Sequence, residues 1–179
     1  KLHDKTFELF ISDKEIEQIV KNVADEINNN GIEKPLFIAI LNGSFLFAAD
    51  VMRKITIPNS EISFIKLASY QGTESTGKVN KLIGLNQDVK GRNIIILEDI
   101  IDTGNTLVKI TDLLKNQNIK SLKIATLLFK PDAYTKEILI DYIGKSISNK
   151  FVVAANFEKW SKVFEIFLKY PKMVHYLGG

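Results

Sequence analysis

The chain has 179 residues, of which 45% are hydrophobic and 25% charged, a composition typical of a single globular domain over residues 1–179. It contains no cysteine and two histidines, which excludes a disulfide framework, a thiolate nucleophile and a cysteine zinc site, and leaves little material for a Ser-His-Asp triad. The net charge of +3 is too small, and its acidic and basic residues too interspersed, to indicate a nucleic-acid partner.

Helices and strands alternate along the chain. Apolar residues at helical spacing predict a helix from Ser12 to about Asn29, with Ser12 or Asp13 as its cap and Glu15 placed for a capping box. Further helices are predicted over 45–54 and 105–116, and a loop rich in Gly, Ser and Thr over 71–78. Strands are predicted over residues 36–41, 61–68, 81–86, 93–97, 122–129, 138–143 and 151–153.

The strands carry continuous apolar runs instead of alternating patterns. Strands of this kind, separated by helices, are typical of a parallel sheet covered on both faces, so the fold class is α/β. Ligands of such sheets bind outside the carboxyl ends of the strands. A ligand site is therefore expected among the residues that follow the most apolar strand.

Residues 93–107, NIIILEDIIDTGNTL, carry the clearest chemical pattern. Glu98 and Asp99 follow the apolar run, and two neighbouring carboxylates there call for compensation by ribose hydroxyls or a divalent cation. The residues 102–106 that follow, D-T-G-N-T, predict a turn into a helix whose backbone N–H groups and two threonine hydroxyls form a phosphate cup. The simpler interpretation is that Asp102 or Thr103 only caps a helix, and that Glu98 and Asp99 only turn the chain. The ordered combination favours the ligand site.

This ordered string resembles the phosphoribosyl pyrophosphate motif of the type I phosphoribosyltransferases. Other segments narrow the resemblance to the bacterial hypoxanthine(-guanine) phosphoribosyltransferases: L-N-G-S-F at 41–45, S-Y at 69–70, L-L-F-K at 127–130 and K-F-V-V at 150–153. The resemblance implies a mostly parallel twisted sheet flanked by helices, with a small hood formed from the chain ends. It also implies transfer of a 6-oxopurine to phosphoribosyl pyrophosphate, with release of pyrophosphate and use of Mg²⁺.

The resemblance assigns roles to individual residues. Asp102 is expected to be the general base toward the purine ring nitrogen, a role that typically contributes ~10²–10⁴-fold. Lys130 is expected to donate to the purine 6-oxo group, although a lone lysine at a strand end is usually only solvated. The remaining expected contacts are Leu41, Asn42 and Gly43 with pyrophosphate, Ser69 and Tyr70 in a closing loop, Glu98 and Asp99 with the ribose and Mg²⁺, Thr103, Gly104, Asn105 and Thr106 with the 5-phosphate, and Phe151 and Val152 with the purine.

The segment after Val153 departs from the family pattern. Glu158 occupies the position of an expected Asp, and Phe164 that of an expected Arg, with Lys159 or Lys162 as a substitute charge. A longer Glu158 would be a weak Mg²⁺ ligand, which reaches the ion only with a shifted backbone or through water. The alternative, which we favour, is an amphipathic packing helix over 154–170, and we therefore predict a weakened second Mg²⁺ site with a high Mg²⁺ requirement or low activity.

Two functions are compatible with this pattern. The first is a purine salvage enzyme acting on hypoxanthine, guanine or both, and the second is a catalytically weakened protein that senses nucleotides or phosphoribosyl pyrophosphate. Asp102, Lys130 and the 69–70 pair favour the enzyme, since a sensor needs no general base. The family resemblance implies a homodimer or homotetramer. No signal peptide pattern or membrane-spanning apolar run occurs, so we expect a cytoplasmic protein with no membrane partner.

Overall fold

The structure is a computed structural model that describes residues 7–67, 82–85, 87–149, 152–153 and 174–177. Predictions for other residues, including the 71–78 loop and the 154–170 helix, lie outside the described residues. Three helices and nine strands are described: β1 (Phe7–Ile11), α1 (Asp13–Asn28), β2 (Leu36–Ile40), α2 (Phe45–Met52), β3 (Glu61–Leu67), β4 (Leu82–Ile83), β5 (Asn93–Ile101), α3 (Asn105–Lys115), β6 (Ser121–Phe129), β7 (Tyr142–Ser146), β8 (Val152–Val153) and β9 (Val174–Leu177).

A six-stranded sheet in the order β4-β3-β2-β5-β6-β7 forms the centre of the molecule. The five strands β3, β2, β5, β6 and β7 are parallel to their neighbours, and β4 pairs antiparallel with β3. The register pairs Leu36 with Ile94 and Asn93 with Ser121. The α/β prediction with a mostly parallel sheet is therefore confirmed, and the carboxyl ends of β2, β5 and β6 share one edge.

Both faces of this sheet are buried, as the continuous apolar runs predicted. All five residues of β2 are buried, and so are residues 94–97 of β5. On one face, α1 and α2 pack through side chains such as Ile27 and Val51. On the other face, α3 packs through Leu107, Ile110 and Leu114. Because the central strands β2 and β5 lie between these helices, residues 36–40 and 94–97 carry no polar side chain.

The start of α1 matches the predicted cap only in part. Ser12 is the N-cap, and its hydroxyl accepts a hydrogen bond from the Glu15 backbone N–H at 3.3 Å. The other hydrogen bond of the predicted capping box, from the Ser12 backbone N–H to the Glu15 carboxylate, does not form. The Glu15 carboxylate accepts from the Lys145 ammonium on β7 instead. Gly144 lets β7 approach α1 closely, since a Cβ there would lie 2.5 Å from Ile19 Cγ2. The ion pair between Glu15 and Lys145 of β7 thus replaces the hydrogen bond that a capping box would form within α1.

The chain ends form a second, three-stranded sheet in the order β1-β9-β8. Strand β1 pairs antiparallel with β9, and β9 pairs antiparallel with β8. This small sheet corresponds to the hood that the family resemblance implied. The amino acid pattern alone indicated β8 but neither β1 nor β9.

Two strand predictions need correction. The strand predicted over 138–143 is wrong in its position, because regular pairing covers Tyr142–Ser146 and residues 134–140 have no regular structure. The strand predicted over 93–97 continues to Ile101, because Glu98, Ile100 and Ile101 still pair with β6. Among the described residues, no helix is long and apolar enough to cross a membrane.

Candidate active site

The turn from β5 into α3 leaves the first N–H groups of the helix without a side-chain cap. The N-cap residue is Gly104, whose φ of 79° is left-handed and favours glycine, and it makes no side-chain capping bond. The interpretation that Asp102 or Thr103 merely caps this helix is therefore wrong. Among the described residues, the backbone N–H groups of residues 103–107 have no hydrogen-bond acceptor. Uncapped N–H groups and the positive end of α3 form a site suited to a phosphate.

Glu98 and Asp99 lie within β5 and not beyond its end, so the prediction that they follow the strand is corrected. Burial, with a smaller contribution from Asp99, raises the pKa of Glu98 well above its ordinary value. Burial also raises the pKa of Asp99 to about 6. One oxygen of Glu98, Oε2, is buried and has no hydrogen-bond partner among the described residues.

Asp99 contacts the loop that follows β2. A Cβ atom on Gly43 would lie 2.5 Å from Asp99 Oδ2 and 2.6 Å from Oδ1, so the carboxylate lies directly against the glycine. The Leu41–Asn42 peptide bond is cis, and the Leu41 N–H donates to the Ile65 carbonyl at 2.7 Å. The predicted pyrophosphate loop and one predicted ribose and Mg²⁺ ligand are thus brought together, which the sequence did not show.

Asp102 and Lys130 form an ion pair. The Lys130 ammonium donates to Asp102 Oδ2 at 3.0 Å, with the lysine side chain 9% exposed and the aspartate side chain 48% exposed. The Lys130 backbone N–H donates to the Ile101 carbonyl at 2.9 Å, which fixes the end of β6 beside the end of β5. A buried lysine requires a counter-charge, and Asp102 supplies it. The solvated-lysine interpretation of Lys130 is therefore wrong.

Sequence patterns did not indicate two residues beside the turn of residues 102–106, which we call the phosphate turn. Tyr134 and Lys136 follow β6 and pack on Gly104: a Cβ there would lie 2.5 Å from Tyr134 Cε2 and 2.9 Å from Lys136 Cγ. The Tyr134 hydroxyl donates to the Ile138 carbonyl at 2.6 Å, and its ring packs edge-on against Phe129. No sequence signal distinguishes these residues, because they lie between two predicted strands and belong to no motif.

Some predicted site residues are not described by the structure. Ser69, Tyr70, Phe151 and Glu158 lie outside the described residues. Val152 is described through its backbone, which forms β8 and pairs with Tyr176 of β9. The predicted closing loop and the predicted surrogate Mg²⁺ ligand therefore remain predictions.

The carboxylates of Glu98 and Asp99 suit a divalent cation whose other ligands are waters and substrate phosphates. An orphaned buried oxygen on Glu98 and the enclosed carboxylate of Asp99 are hard oxygen donors of the kind Mg²⁺ prefers. No cluster of three or more potential metal ligands occurs in the described part of the chain. Mg²⁺ commonly uses one or two carboxylates together with waters and substrate phosphates, so this donor set suits Mg²⁺ brought with a phosphorylated ligand.

Comparison with known proteins decides the family. The phosphoribosyl transferase domain family matches residues 11–160. The hypoxanthine phosphoribosyltransferase of Buchnera aphidicola subsp. Schizaphis graminum is 43% identical over 152 residues, which cover 83% of this chain and 85% of the relative. The chain belongs to the hypoxanthine(-guanine) phosphoribosyltransferase family. The hypoxanthine-guanine phosphoribosyltransferase of Staphylococcus epidermidis agrees, with 38% identity over 154 residues, 85% of this chain and 86% of the relative.

Solved structures of the phosphoribosyltransferase family show the same fold. A hypoxanthine phosphoribosyltransferase from Staphylococcus aureus superposes with a TM-score of 0.79 at 30% identity, covering 99% of this chain and 94% of that one. A hypoxanthine-guanine phosphoribosyltransferase from Bacillus anthracis gives a TM-score of 0.76 at 30% identity, covering 97% of this chain and all of that one. The type I phosphoribosyltransferase fold and the recognition of the family from motifs are thus confirmed, and the chain is a phosphoribosyltransferase that acts on small molecules.

Proposed function

We propose that the chain catalyses purine salvage: it joins hypoxanthine, guanine or both to phosphoribosyl pyrophosphate and releases pyrophosphate and IMP or GMP. The observation that best supports this proposal is the Asp102–Lys130 ion pair beside the uncapped start of α3. This arrangement places a general base and a cation that can recognise the purine next to a phosphate site. The alternative of a nucleotide sensor lacks a comparable observation, because it needs no general base.

The phosphorylated substrate would bind along the shared carboxyl edge of the sheet. We assign the 5-phosphate to the backbone and hydroxyls of residues 103–106, where the helix end is open to an anion. We assign pyrophosphate to residues 41–43, chiefly through backbone groups that do not depend on a Lys at position 42. The contact between Gly43 and Asp99 supports this placement because it brings the loop beside β5.

The ribose and Mg²⁺ would be held by Glu98 and Asp99. Their raised pKa values show that the protein interior disfavours both negative charges when no cation is present. A bound divalent cation and ribose hydroxyl donors relieve this cost. When bound, Mg²⁺ supplies charge neutralisation of the pyrophosphate leaving group.

We propose that the purine enters by displacing the Asp102–Lys130 ion pair. The Lys130 ammonium would then donate to the 6-oxo group, and Asp102 would be free to accept the proton of a ring nitrogen. A ring nitrogen forms the bond to ribose C1, while the C1–oxygen bond breaks with its electron pair remaining on pyrophosphate. The proton that the purine ring nitrogen carried passes to the Asp102 carboxylate, so charge and atoms balance.

The same exchange accounts for purine selectivity. A 6-oxo group accepts from Lys130 and so replaces the hydrogen bond that Lys130 loses with Asp102, whereas the amino group of adenine would leave a nearly buried cation facing a donor. Sites that reject a ligand for lack of a buried hydrogen bond discriminate up to ~10⁴–10⁵-fold. Phe151 would stack on the base, and the Val152 backbone would contact its edge.

Closure and the segment after Val153 complete the proposal. Ser69 and Tyr70 would close over the reacting atoms and exclude water from a water-sensitive cationic state. Glu158 would serve as a weak additional Mg²⁺ ligand. If Glu158→Ala leaves the Mg²⁺ concentration for half-maximal turnover unchanged, that assignment is wrong and the segment only packs.

We further propose a cytoplasmic enzyme with one domain over residues 1–179 that forms a homodimer or homotetramer. Light scattering of the purified full chain measures its mass directly. A mass equal to one chain at micromolar concentration contradicts the oligomer.

Turnover is the test of the proposed function. Purified protein is mixed with phosphoribosyl pyrophosphate, Mg²⁺ and either hypoxanthine, guanine or adenine, and the ultraviolet absorbance change of nucleotide formation is followed. We expect turnover with a 6-oxopurine and none measurable with adenine. Tight binding of phosphoribosyl pyrophosphate in calorimetry without turnover would instead support the sensor.

A further inference from the structure

The segment between β6 and β7 folds back over the phosphate turn. The Tyr134 N–H donates to the Lys130 carbonyl at 3.1 Å, and the Tyr134 hydroxyl donates to the Ile138 carbonyl at 2.6 Å. These bonds hold the ring against the Gly104 backbone, with Lys136 beside it. The Tyr134 ring, which two hydrogen bonds to backbone carbonyls hold in place, and the Lys136 side chain therefore cover residue 104 of the turn.

The turn itself carries no cationic side chain. Residues 103–106 are Thr, Gly, Asn and Thr, and the nearby Lys130 ammonium is engaged by Asp102. Within the described residues, Lys136 forms no ion pair. Its stem lies against Gly104 at Cγ, and its ammonium is three bonds further along, within reach of an anion on the turn. Asp132 and Glu137 lie in the same segment but are exposed to solvent.

We infer that Lys136 binds the 5-phosphate of the phosphoribosyl group from above the turn, and that Tyr134 is the residue that positions it. The inference rests on the proposed function, since it extends the 5-phosphate site. Backbone N–H groups and helix dipoles bear only partial charges, so a dianionic phosphate leaves charge to be neutralised. A full cation held against the turn supplies it, and a charge-assisted hydrogen bond is stronger than a neutral one.

The substitution Lys136→Met keeps the apolar stem against Gly104 and removes the charge. Lys120→Met is the matched control, because Lys120 is exposed and precedes β6 at the opposite edge of the sheet. We expect Lys136→Met to raise both the KM for phosphoribosyl pyrophosphate and the inhibition constant of IMP about tenfold. The inhibition constant of pyrophosphate should stay unchanged, because pyrophosphate occupies residues 41–43. Lys120→Met should change neither constant.

Two further variants separate charge from packing. Lys136→Arg should restore IMP inhibition to within a few-fold of the wild type, whereas Tyr134→Phe, which loses the hydrogen bond to the Ile138 carbonyl, should raise the inhibition constant of IMP by less than Lys136→Met does and leave that of pyrophosphate unchanged. Unchanged IMP inhibition in Lys136→Met, or an equal loss for IMP and pyrophosphate, overturns the inference. If the wild type shows no turnover, the proposed function fails, and IMP calorimetry on the same variants still decides the role of Lys136.

Discussion

A methyl group added at Gly43 tests the contact between the pyrophosphate loop and β5. In Gly43→Ala the new Cβ would lie 2.5 Å, 2.6 Å and 2.7 Å from Asp99 Oδ2, Oδ1 and Cγ. Ordinary contact begins near 3.4 Å, so the carboxylate must retreat by about 1 Å. The φ of Gly43 is not positive, and the effect is therefore steric and not a matter of backbone conformation.

The expected cost has two parts. Inserting a methyl group into a packed site typically costs ~1–3 kcal/mol of unfolding free energy. At ~2–4 °C per kcal/mol for a chain of this size, the melting temperature should fall by about 2–12 °C. A displacement of about 1 Å in the reacting geometry can cost ~10²-fold in rate, so kcat/KM for phosphoribosyl pyrophosphate should fall by about that factor.

The double variant Gly43→Ala/Asp99→Ala provides the control. Removing the carboxylate relieves the clash, so thermal denaturation should show recovered stability relative to Gly43→Ala, while steady-state turnover should remain low. The reasoning is refuted if Gly43→Ala has the wild-type melting temperature and kcat/KM, or if Asp99→Ala adds its own destabilisation without any recovery.

Three other variants test the site through different observables. Asp102→Asn keeps the side-chain shape but removes the base, so turnover should fall ~10²–10⁴-fold with phosphoribosyl pyrophosphate affinity retained; near-full turnover contradicts the general-base role. Thr106→Val should raise the KM for phosphoribosyl pyrophosphate by removing a phosphate donor at nearly constant volume, and an unchanged KM would mean that the hydroxyl points elsewhere. Burial raises the pKa of Asp99 from 3.8 to about 6, so the folded state binds its proton more tightly and ionisation destabilises the fold as pH rises through that interval. The melting temperature of Asp99→Asn without Mg²⁺ should accordingly exceed that of the wild type by a margin that grows between those pH values and then levels off; a constant margin would contradict this account.

The motif residues and the parallel character of the sheet could be predicted from the sequence, because both depend on the order of residues within short segments. Continuous apolar runs identified the buried strands, and D-T-G-N-T identified the turn into α3. Gly104 of this turn has the left-handed backbone that glycine favours. The strand predicted over 138–143 was misplaced, because Ile138 and Ile140 pack in the cluster on the α3 face without joining the sheet, whose pairing starts at Tyr142.

Relations between distant segments were decided only by the tertiary structure. The Glu15 carboxylate pairs with Lys145 because β7 passes the start of α1, and not with its local capping partner. Likewise, Asp99 lies against Gly43, and Tyr134 against Gly104, because parallel pairing brings the carboxyl ends of separate strands to one edge. A sequence specifies which residue types are available for chemistry. Their distances, and the burial that raises the pKa of Asp99, arise only when strands far apart in the chain are packed side by side.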